Sequence, residues 1–426
     1  MKKQEKKTVC VIGLGYVGLP LAVRAKEMGY PTYGLERDAK KVALINKQKS
    51  PIKEEFLEHN LPKFPIIAST DEKIIKEADI VLICVPTPVD KNYYPDLGPV
   101  IGATETVVRN LKKGALVVLE STVNPGVSEE IVAPIFEKAG FKIGKDVFIA
   151  HCPERIDPGN KTWNVTNLPR VVGSFDQKGL AMAVEFYKNI TTGEVRPMRS
   201  IREAEAVKIV ENSFRDINIA FVNELAKSFD KLDIDIKDVI EGASTKFSFM
   251  PHFPGCGVGG HCIPVDPYYL IERAKASGFD HKFLRTAREI NNSMPEYTVN
   301  LLQTALNEIK KPMKGTVVGV LGIAYKANID DVRESPAIKI IELLKRHQVN
   351  VLTYDPYILE KSTEKNLAQL LKKSEALILV TNHAEFLKIS PQTFKTNKIK
   401  VIIDGKNCLD KNAIKKLGIL YKGIGH

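Results

Sequence analysis

Two stretches of this 426-residue sequence combine residue types that can do chemistry. One is Gly255-Cys256-Gly257-Val258-Gly259-Gly260-His261-Cys262-Ile263-Pro264-Val265-Asp266-Pro267. Four glycines ahead of Cys262 predict backbone packed against a ligand, or N–H groups free to bind one. Cys262 itself has three readings: a catalytic nucleophile, a metal ligand together with His261, or a plain buried thiol. Adjacent His and Cys are poor ligand spacing, and no second cluster completes a tetrahedral set, so no metal is expected. Asp266 lies four residues on and faces the same site if the segment is helical, although Pro264 argues against a helix.

The other stretch is Gly13-Leu14-Gly15-Tyr16-Val17-Gly18. Alone, a GxGxxG pattern is weak. Here it follows an apolar strand, Thr8–Ile12, opens an amphipathic helix, and is followed at the end of the next strand by Glu36, which is the full context of a dinucleotide site. Gly13 permits the tight turn, Gly15 lets backbone approach a pyrophosphate, and Gly18 lets the helix pack on the sheet. Tyr16 and Val17 sit where helix N–H groups and the positive end of the helix dipole face the phosphates. Glu36 would accept hydrogen bonds from ribose hydroxyls and repel a 2′-phosphate, which favours NAD over NADP. Val85-Pro86-Thr87-Pro88 and Glu120-Ser121-Thr122 each follow a strand, at the edge where open α/β sheets bind ligands.

These residues need a frame to hold them. Strand-like runs at Pro31–Leu35, Ala78–Val85, Ala115–Leu119 and Val147–Ala150 alternate with helix-like stretches at Ile101–Leu111 and Ser128–Ala139. Alternation of that kind, with strands apolar on both faces, predicts a mostly parallel sheet. From Glu203 to about Lys231 there is no Gly or Pro, and apolar residues recur three or four apart, so one long helix is expected. A second α/β unit starts near Lys314, with strands at Thr316–Leu321, Val349–Tyr354, Ala376–Val380 and Val401–Ile403. It reads as a degenerate echo of the first, keeping only Gly322 of the three glycines; Ser335-Pro336 opens its first helix. The expected fold class is therefore α/β, two Rossmann-like doubly wound parallel sheets joined by a long central helix. The expected domains are 1–200 for NAD, 201–312 as a central helical and dimerisation segment carrying the Cys262 loop, and 313–426 for the substrate nucleotide.

Composition fits that picture. With 44% hydrophobic and 27% charged residues the chain is an ordinary globular one, not disordered, collagenous or coiled-coil. No apolar run reaches membrane-spanning length, and MKKQEKK leads straight into a strand, so neither membrane nor secretory signal is expected and the chain is placed in the cytoplasm. Six cysteines, scattered, form no disulfide framework. The net charge of +11 suits an anionic ligand, but Lys and Arg are dispersed without interleaved aromatics. Small phosphate-bearing ligands explain it as well as nucleic acid, and nucleic acid is not expected.

Seven motifs taken together carry a family resemblance: GLGYVGLP at 13–20, VPTP at 85–88, ESTVNPG at 120–126, CPERIDPGN at 152–160, KIVENSFRDINIAFVNE at 208–224, GVGGHCIPVDP at 257–267 and GIAYKANIDDVRESP at 322–336. In this order they resemble the UDP-sugar 6-dehydrogenases. The resemblance implies a four-electron oxidation of the sugar C6 alcohol to a carboxylate by two NAD in succession. It makes Cys262 the nucleophile that captures the C6 aldehyde, Lys208 and Asn212 the helix pair that stabilises negative charge at C6, and Asp266 the acid/base partner of Lys208 through water. Thr122 falls near the nicotinamide and that water, and Glu154 on the base for thioester hydrolysis. Lys326 matches a lysine on the UDP pyrophosphate, Arg333 an arginine on the NAD phosphates, Thr87 a cofactor contact, and Lys41 the adenosine end.

The sugar is read from departures within the family. His261 replaces the serine, and Val265 the lysine, that UDP-glucose enzymes carry around the nucleophile. Pro-Glu-Arg-Ile-Asp-Pro-Gly replaces their Pro-Glu-Phe-Leu, and Phe249 and His252 stand where they contribute an arginine to the neighbouring subunit. With Arg155 and Gly259 these residues resemble an N-acetylhexosamine pocket. DPGN and CIPVDPYYL favour UDP-N-acetylglucosamine, whereas ENSFRDINIAF resembles the UDP-N-acetylmannosamine enzymes as well; UDP-glucose is the third choice. Capsule or O-antigen synthesis, as a homodimer or larger homo-oligomer, is the implied setting. An NAD-binding regulatory protein is the rival from another class, and it would not need Cys262, Lys208 and Asn212 together.

Overall fold

In a computed structural model, residues 6–52, 54–90, 94–156 and 162–425 are described. The strands of the first sheet are β1 (Val9–Ile12), β2 (Thr32–Leu35), β3 (Ile67–Ser69), β4 (Ile80–Ile83), β5 (Ala115–Leu119), β6 (Val147–His151), β7 (Arg170–Ser174) and β8 (Val195–Pro197). Every residue of β1, β4, β5 and β6 is buried, which is why they read as unbroken apolar runs: helices cover both faces and leave no polar side to alternate with. The order is β3-β2-β1-β4-β5-β6-β7-β8. All pairs are parallel except β6 with β7. A parallel return requires a crossover, and no helix forms among the described residues between those two strands, so the chain turns back antiparallel.

The second sheet contains β9 (Val317–Leu321), β10 (Asn350–Tyr354), β11 (Ala376–Leu379), β12 (Val401–Asp404) and β13 (Leu420–Gly423), in the order β10-β9-β11-β12-β13 and parallel throughout. Each sheet reverses direction of growth at its first strand, between β1 and β4 and between β9 and β11. The carboxyl ends of those first strands carry Gly13 (φ +87°) and Gly322 (φ +91°). A Cβ at Gly13 would fall 2.8 Å from the Cys84 carbonyl oxygen, and one at Gly322 2.5 Å from Thr381 Cβ. Both turns therefore require glycine. The echo between the two halves is a matter of geometry as well as of sequence.

By compactness the chain divides into Met1–Glu211 with Tyr268–Gly278, and Asn212–Pro267 with Phe279–His426. The boundary falls inside the long helix Ile201–Leu232, which joins the two units. Within the second unit a second long helix, Lys282–Glu308, supplies Met294, Leu302 and Leu306 to the core that lies against β9, β11 and β12.

Candidate active site

In the first unit, the glycine loop closes on itself. A Cβ at Gly18 would sit 2.0 Å from the Gly13 carbonyl oxygen, whereas one at Gly15 would meet nothing within 4 Å. Gly15 is thus the open point of the loop, next to Tyr16, which is exposed. The helix Gly18–Glu27 starts after Val17, with no side chain capping its first turn. Uncapped N–H groups at a helix start are anion donors. Glu36 follows β2: its Oε2 accepts from the Leu14 N–H at 3.0 Å and its Oε1 from the Asp38 N–H at 3.1 Å. Each carboxylate oxygen has a second lone pair, which leaves room for ribose hydroxyls. These residues fit a dinucleotide such as NAD. Asp38 caps the next helix, Ala39–Asn46, in whose first turn Lys41 lies. Thr87 is buried, and its carbonyl accepts from the Tyr269 hydroxyl. Thr122 is half-buried in the loop after β5.

Glu154, after β6, is buried and fully engaged. Its Oε1 accepts from the Arg155 and Ile156 N–H groups, each at 2.6 Å, and its Oε2 from Arg170 Nη1 at 3.0 Å. Arg170 also reaches Glu120 Oε2 at 3.4 Å, and the Tyr187 hydroxyl donates to the other oxygen of Glu120. Two buried carboxylates share one guanidinium. Burial, opposed by Arg170 and helped by Glu154, pushes the Glu120 pKa up to about 8. Arg155, expected at the substrate, pairs with Glu211 at 2.6 Å and donates to the Pro169 carbonyl at 3.0 Å. The DPGN motif lies outside the described residues. Lys208 is half-buried on the long helix, one turn before Asn212.

In the second unit the Cys262 carbonyl accepts from the Val265 and Asp266 N–H groups at 3.0 and 2.8 Å. Pro264 is accommodated because that turn needs no N–H from it. The turn runs into the helix Asp266–Ala276. Asp266 is buried, and its Oδ2 accepts from Asn212 Nδ2 at 2.5 Å. Two predicted site residues 54 positions apart thus touch, one turn of chain from the sulfur. Cys262 is exposed, while Cys10, Cys84, Cys152 and Cys256 are buried.

The glycines before Cys262 also pack against protein: the Gly260 N–H donates to the Arg333 carbonyl at 2.9 Å. A Cβ at Gly259 would fall 2.5 Å from Tyr325 Cβ and 2.8 Å from the Glu334 carbonyl oxygen. These glycines exist so that the thiol loop can lie against the 322–336 segment, which carries Lys326 and Arg333. Arg333, paired with Asp331 at 2.6 Å, has its pKa raised by that hydrogen bond, opposed by burial and helped by the Asp331 charge, and it lies close enough to Tyr325 and Cys262 to feel either of them when ionised. A positive charge therefore lies within electrostatic reach of the sulfur. Burial and Arg333 hold the His261 pKa below its ordinary value, which keeps the ring neutral near pH 7. Phe249 is half-buried at the edge of the core, and His252 stacks edge-on to Phe214 at 6.3 Å.

Sequence reasoning missed the buried relay that fixes the start of this loop. The Gly255 N–H donates to Asn223 Oδ1 at 2.9 Å, Asn223 Nδ2 to Asn291 Oδ1 at 2.9 Å, and Asn291 Nδ2 to Asp216 Oδ1 at 2.8 Å, where Arg288 also binds at 2.5 Å. Asp216 and Asn223 stand seven apart on the long helix, and such polar residues on a buried helix face were the available signal. Among the described residues no three His, Cys, Asp or Glu gather as a metal site, and no helix is long and apolar enough to cross a membrane.

Comparison with known proteins is consistent with this geometry. Models of the UDP-glucose/GDP-mannose dehydrogenase family match residues 7–191 (NAD binding domain), 202–293 (central domain) and 319–411 (UDP binding domain). The chain is 34% identical to UDP-N-acetyl-D-mannosamine dehydrogenase of Pyrococcus horikoshii, over 98% of this chain and 99% of that protein. It is 33% identical to UDP-N-acetyl-D-glucosamine 6-dehydrogenase of Pseudomonas aeruginosa, over 95% and 97%. The solved structure of the UDP-D-ManNAc dehydrogenase from Pyrococcus horikoshii superposes with a TM-score of 0.92 at 33% identity, covering 98% of this chain and 99% of that one.

Proposed function

The chain belongs to the UDP-glucose/GDP-mannose dehydrogenase family and is an NAD-dependent UDP-sugar dehydrogenase, and from that premise we propose that it oxidises C6 of a UDP-N-acetylhexosamine to the carboxylate through a Cys262 thioester. The contact between Asn212 and Asp266, one turn from Cys262, is the observation that carries the reading. Held by Glu36 and the glycine loop, NAD would supply the hydride acceptor, one molecule for each of the two oxidations.

The protein's own residues do the rest. Lys208 and Asp266, acting through water, take the proton of the C6 hydroxyl as the hydride departs. Asn212 and Lys208 stabilise the negative charge that gathers on that oxygen. The Cys262 thiolate adds to the aldehyde carbon, a C–S bond forms, and the oxygen recovers a proton to give the thiohemiacetal. The second hydride leaves that carbon with loss of the hydroxyl proton, giving the thioester. Water then attacks with Glu154 as base, the C–S bond breaks, and the thiolate is restored as the acid departs. Lys326 holds the UDP pyrophosphate, and Glu36, Gly15, Tyr16 and Val17 hold the cofactor, with Thr87, Thr122, Lys41 and Arg333 around it.

His261, Val265 and the residues around Phe249 favour a 2-acetamido sugar. The motifs themselves lean to UDP-N-acetylglucosamine. The relatives' names add weight to its C2 epimer, UDP-N-acetylmannosamine, and identities of 33% and 34% do not separate the two. The test supplies limiting UDP-N-acetylglucosamine, UDP-N-acetylmannosamine and UDP-glucose in parallel and counts NADH. We expect two NADH per sugar from one of the acetamido substrates; one NADH per sugar, or turnover of UDP-glucose alone, would overturn the proposal.

A homodimer is proposed on a separate observation. In the second unit Phe214, Phe221, Phe247, Met250 and Phe253 are all exposed, Phe247 at 99%. Large apolar side chains exposed to this degree are the kind that a second copy would bury. Sedimentation is expected to show a dimer, and a stable, fully active monomer would contradict this.

A further inference from the structure

The acid at the end of the second strand has opposite surroundings in the two sheets. Glu36, after β2, grips the Leu14 N–H yet remains half-buried at the surface. Its counterpart after β10 is Asp355, which is fully buried. A single oxygen, Asp355 Oδ2, accepts from the Ile323 and Ala324 N–H groups at 2.7 and 2.8 Å and faces His383 Nε2 at 3.1 Å. The other oxygen accepts from the Tyr357 N–H at 2.9 Å. Burial alone would raise the Asp355 pKa, but His383 and the two backbone donors hold it below its ordinary value.

His383 is equally buried and continues the chain of bonds. Its Nδ1 lies 2.9 Å from the Asn328 N–H and must accept, which puts the ring proton on Nε2, aimed at Asp355. Tyr357 stacks on the ring at 5.1 Å and Phe386 meets its edge at 5.4 Å, so the imidazole has one orientation. Thr381 Oγ1 donates to the Ala324 carbonyl, and the Ala384 N–H donates to Asn328 Oδ1 at 3.0 Å. The segment after β9 is thus held at Ile323 and Ala324 on one side and at Asn328 on the other. Tyr325 and Lys326 lie between the anchors, and Tyr325 is the residue against which Gly259 and Gly260 of the thiol loop pack.

We infer that Asp355 and His383 are positioning residues for the substrate: the pair clamps the 322–328 loop at both ends, sets Lys326 for the diphosphate, and through Tyr325 sets the backbone leading to Cys262. Neither residue touches substrate in this account. The inference rests on the proposed roles of Lys326 and Cys262, and a variant at Lys326 separates the two claims.

The experiment compares K326A, H383A and H383N in the full-length protein by calorimetric titration with UDP, by fluorescence titration with NADH, and by steady-state kinetics. H383A is expected to raise the Kd for UDP and the KM for the UDP-sugar about tenfold or more, while NADH binding in the first unit stays unchanged. Asparagine can offer an oxygen near the place of Nδ1, so H383N should restore part of the UDP affinity by accepting from Asn328. Unchanged UDP affinity in both His383 variants, with K326A weakened, would overturn the inference alone. Unchanged affinity in K326A would overturn the reading of Lys326 and the inference with it. Parallel losses of UDP and NADH binding in H383A, without rescue by asparagine, would mean general damage to the fold and would also overturn it.

Discussion

Cys262→Ser is expected to lower acid formation by about 10³-fold or more while UDP and NADH still bind. The difference lies in the nucleophile. Near neutral pH a thiol gives an appreciable fraction of thiolate, and an alcohol gives almost none. Serine could at best form an oxygen hemiacetal, and its ester would hydrolyse without the leaving-group advantage of sulfur. The substitution is close to isosteric at an exposed position, so the fold should survive. The measurement is acid product per enzyme over long incubation, alongside binding of both nucleotides. Undiminished acid formation would remove Cys262 from the mechanism and require the second oxidation to run on the aldehyde hydrate, without a thioester.

Arg170→Met is expected to destabilise the protein by about 3–5 kcal/mol at pH 7, because it strips the shared cation from two buried carboxylates. The sign of its pH dependence can be stated in advance. Glu120 has its folded pKa raised to about 8. A carboxyl whose pKa is raised on folding contributes stability in its protonated form, and that contribution is lost as pH rises through the folded value. Without Arg170 the pKa of Glu120 moves further up. The deficit of the variant should therefore shrink toward pH 5 and widen toward pH 9, as read from urea midpoints at the two values. Adding Glu120→Gln removes the carboxyl that must stay protonated to remain buried, so it should flatten the pH dependence and recover part of the loss at pH 9. A deficit independent of pH would mean that packing, and not charge, is what Arg170 supplies.

The parts of the fold that were legible in the sequence are those with a local signal. β1, β4, β5 and β9 declare themselves because each is an apolar run ended by glycine, by a proline-rich stretch or by a polar turn. The glycine loop and Glu36 declare themselves by spacing. β3 and β8 do not: each has three residues, and β8 ends in proline, so nothing periodic sets them apart. β13 is missed for a related reason, since Leu420–Gly423 includes Lys422 and offers no run. The polar networks left no trace for a different reason. Glu120 and Tyr187 are 67 positions apart, and Asp355 and His383 are 28 apart, and such partners become evident only when the sheet aligns their strand ends. The thiol-loop glycines were legible as special but not in purpose, because the surface they accommodate, Tyr325 to Pro336, lies far along the chain.

The contrast between Glu36 and Asp355 bears on how this protein can diversify. An acid at the surface of its unit can be exchanged with little loss of folding free energy, so the first unit is free to drift in its choice of cofactor by single substitutions. An acid sealed beneath an imidazole and a tyrosine ring has no such freedom, since any replacement is felt by the fold before it is felt by the ligand. Selection on this lineage would therefore find new cofactor preferences readily. New preferences at the diphosphate end would have to be sought in the side chains of the loop, over a backbone held constant.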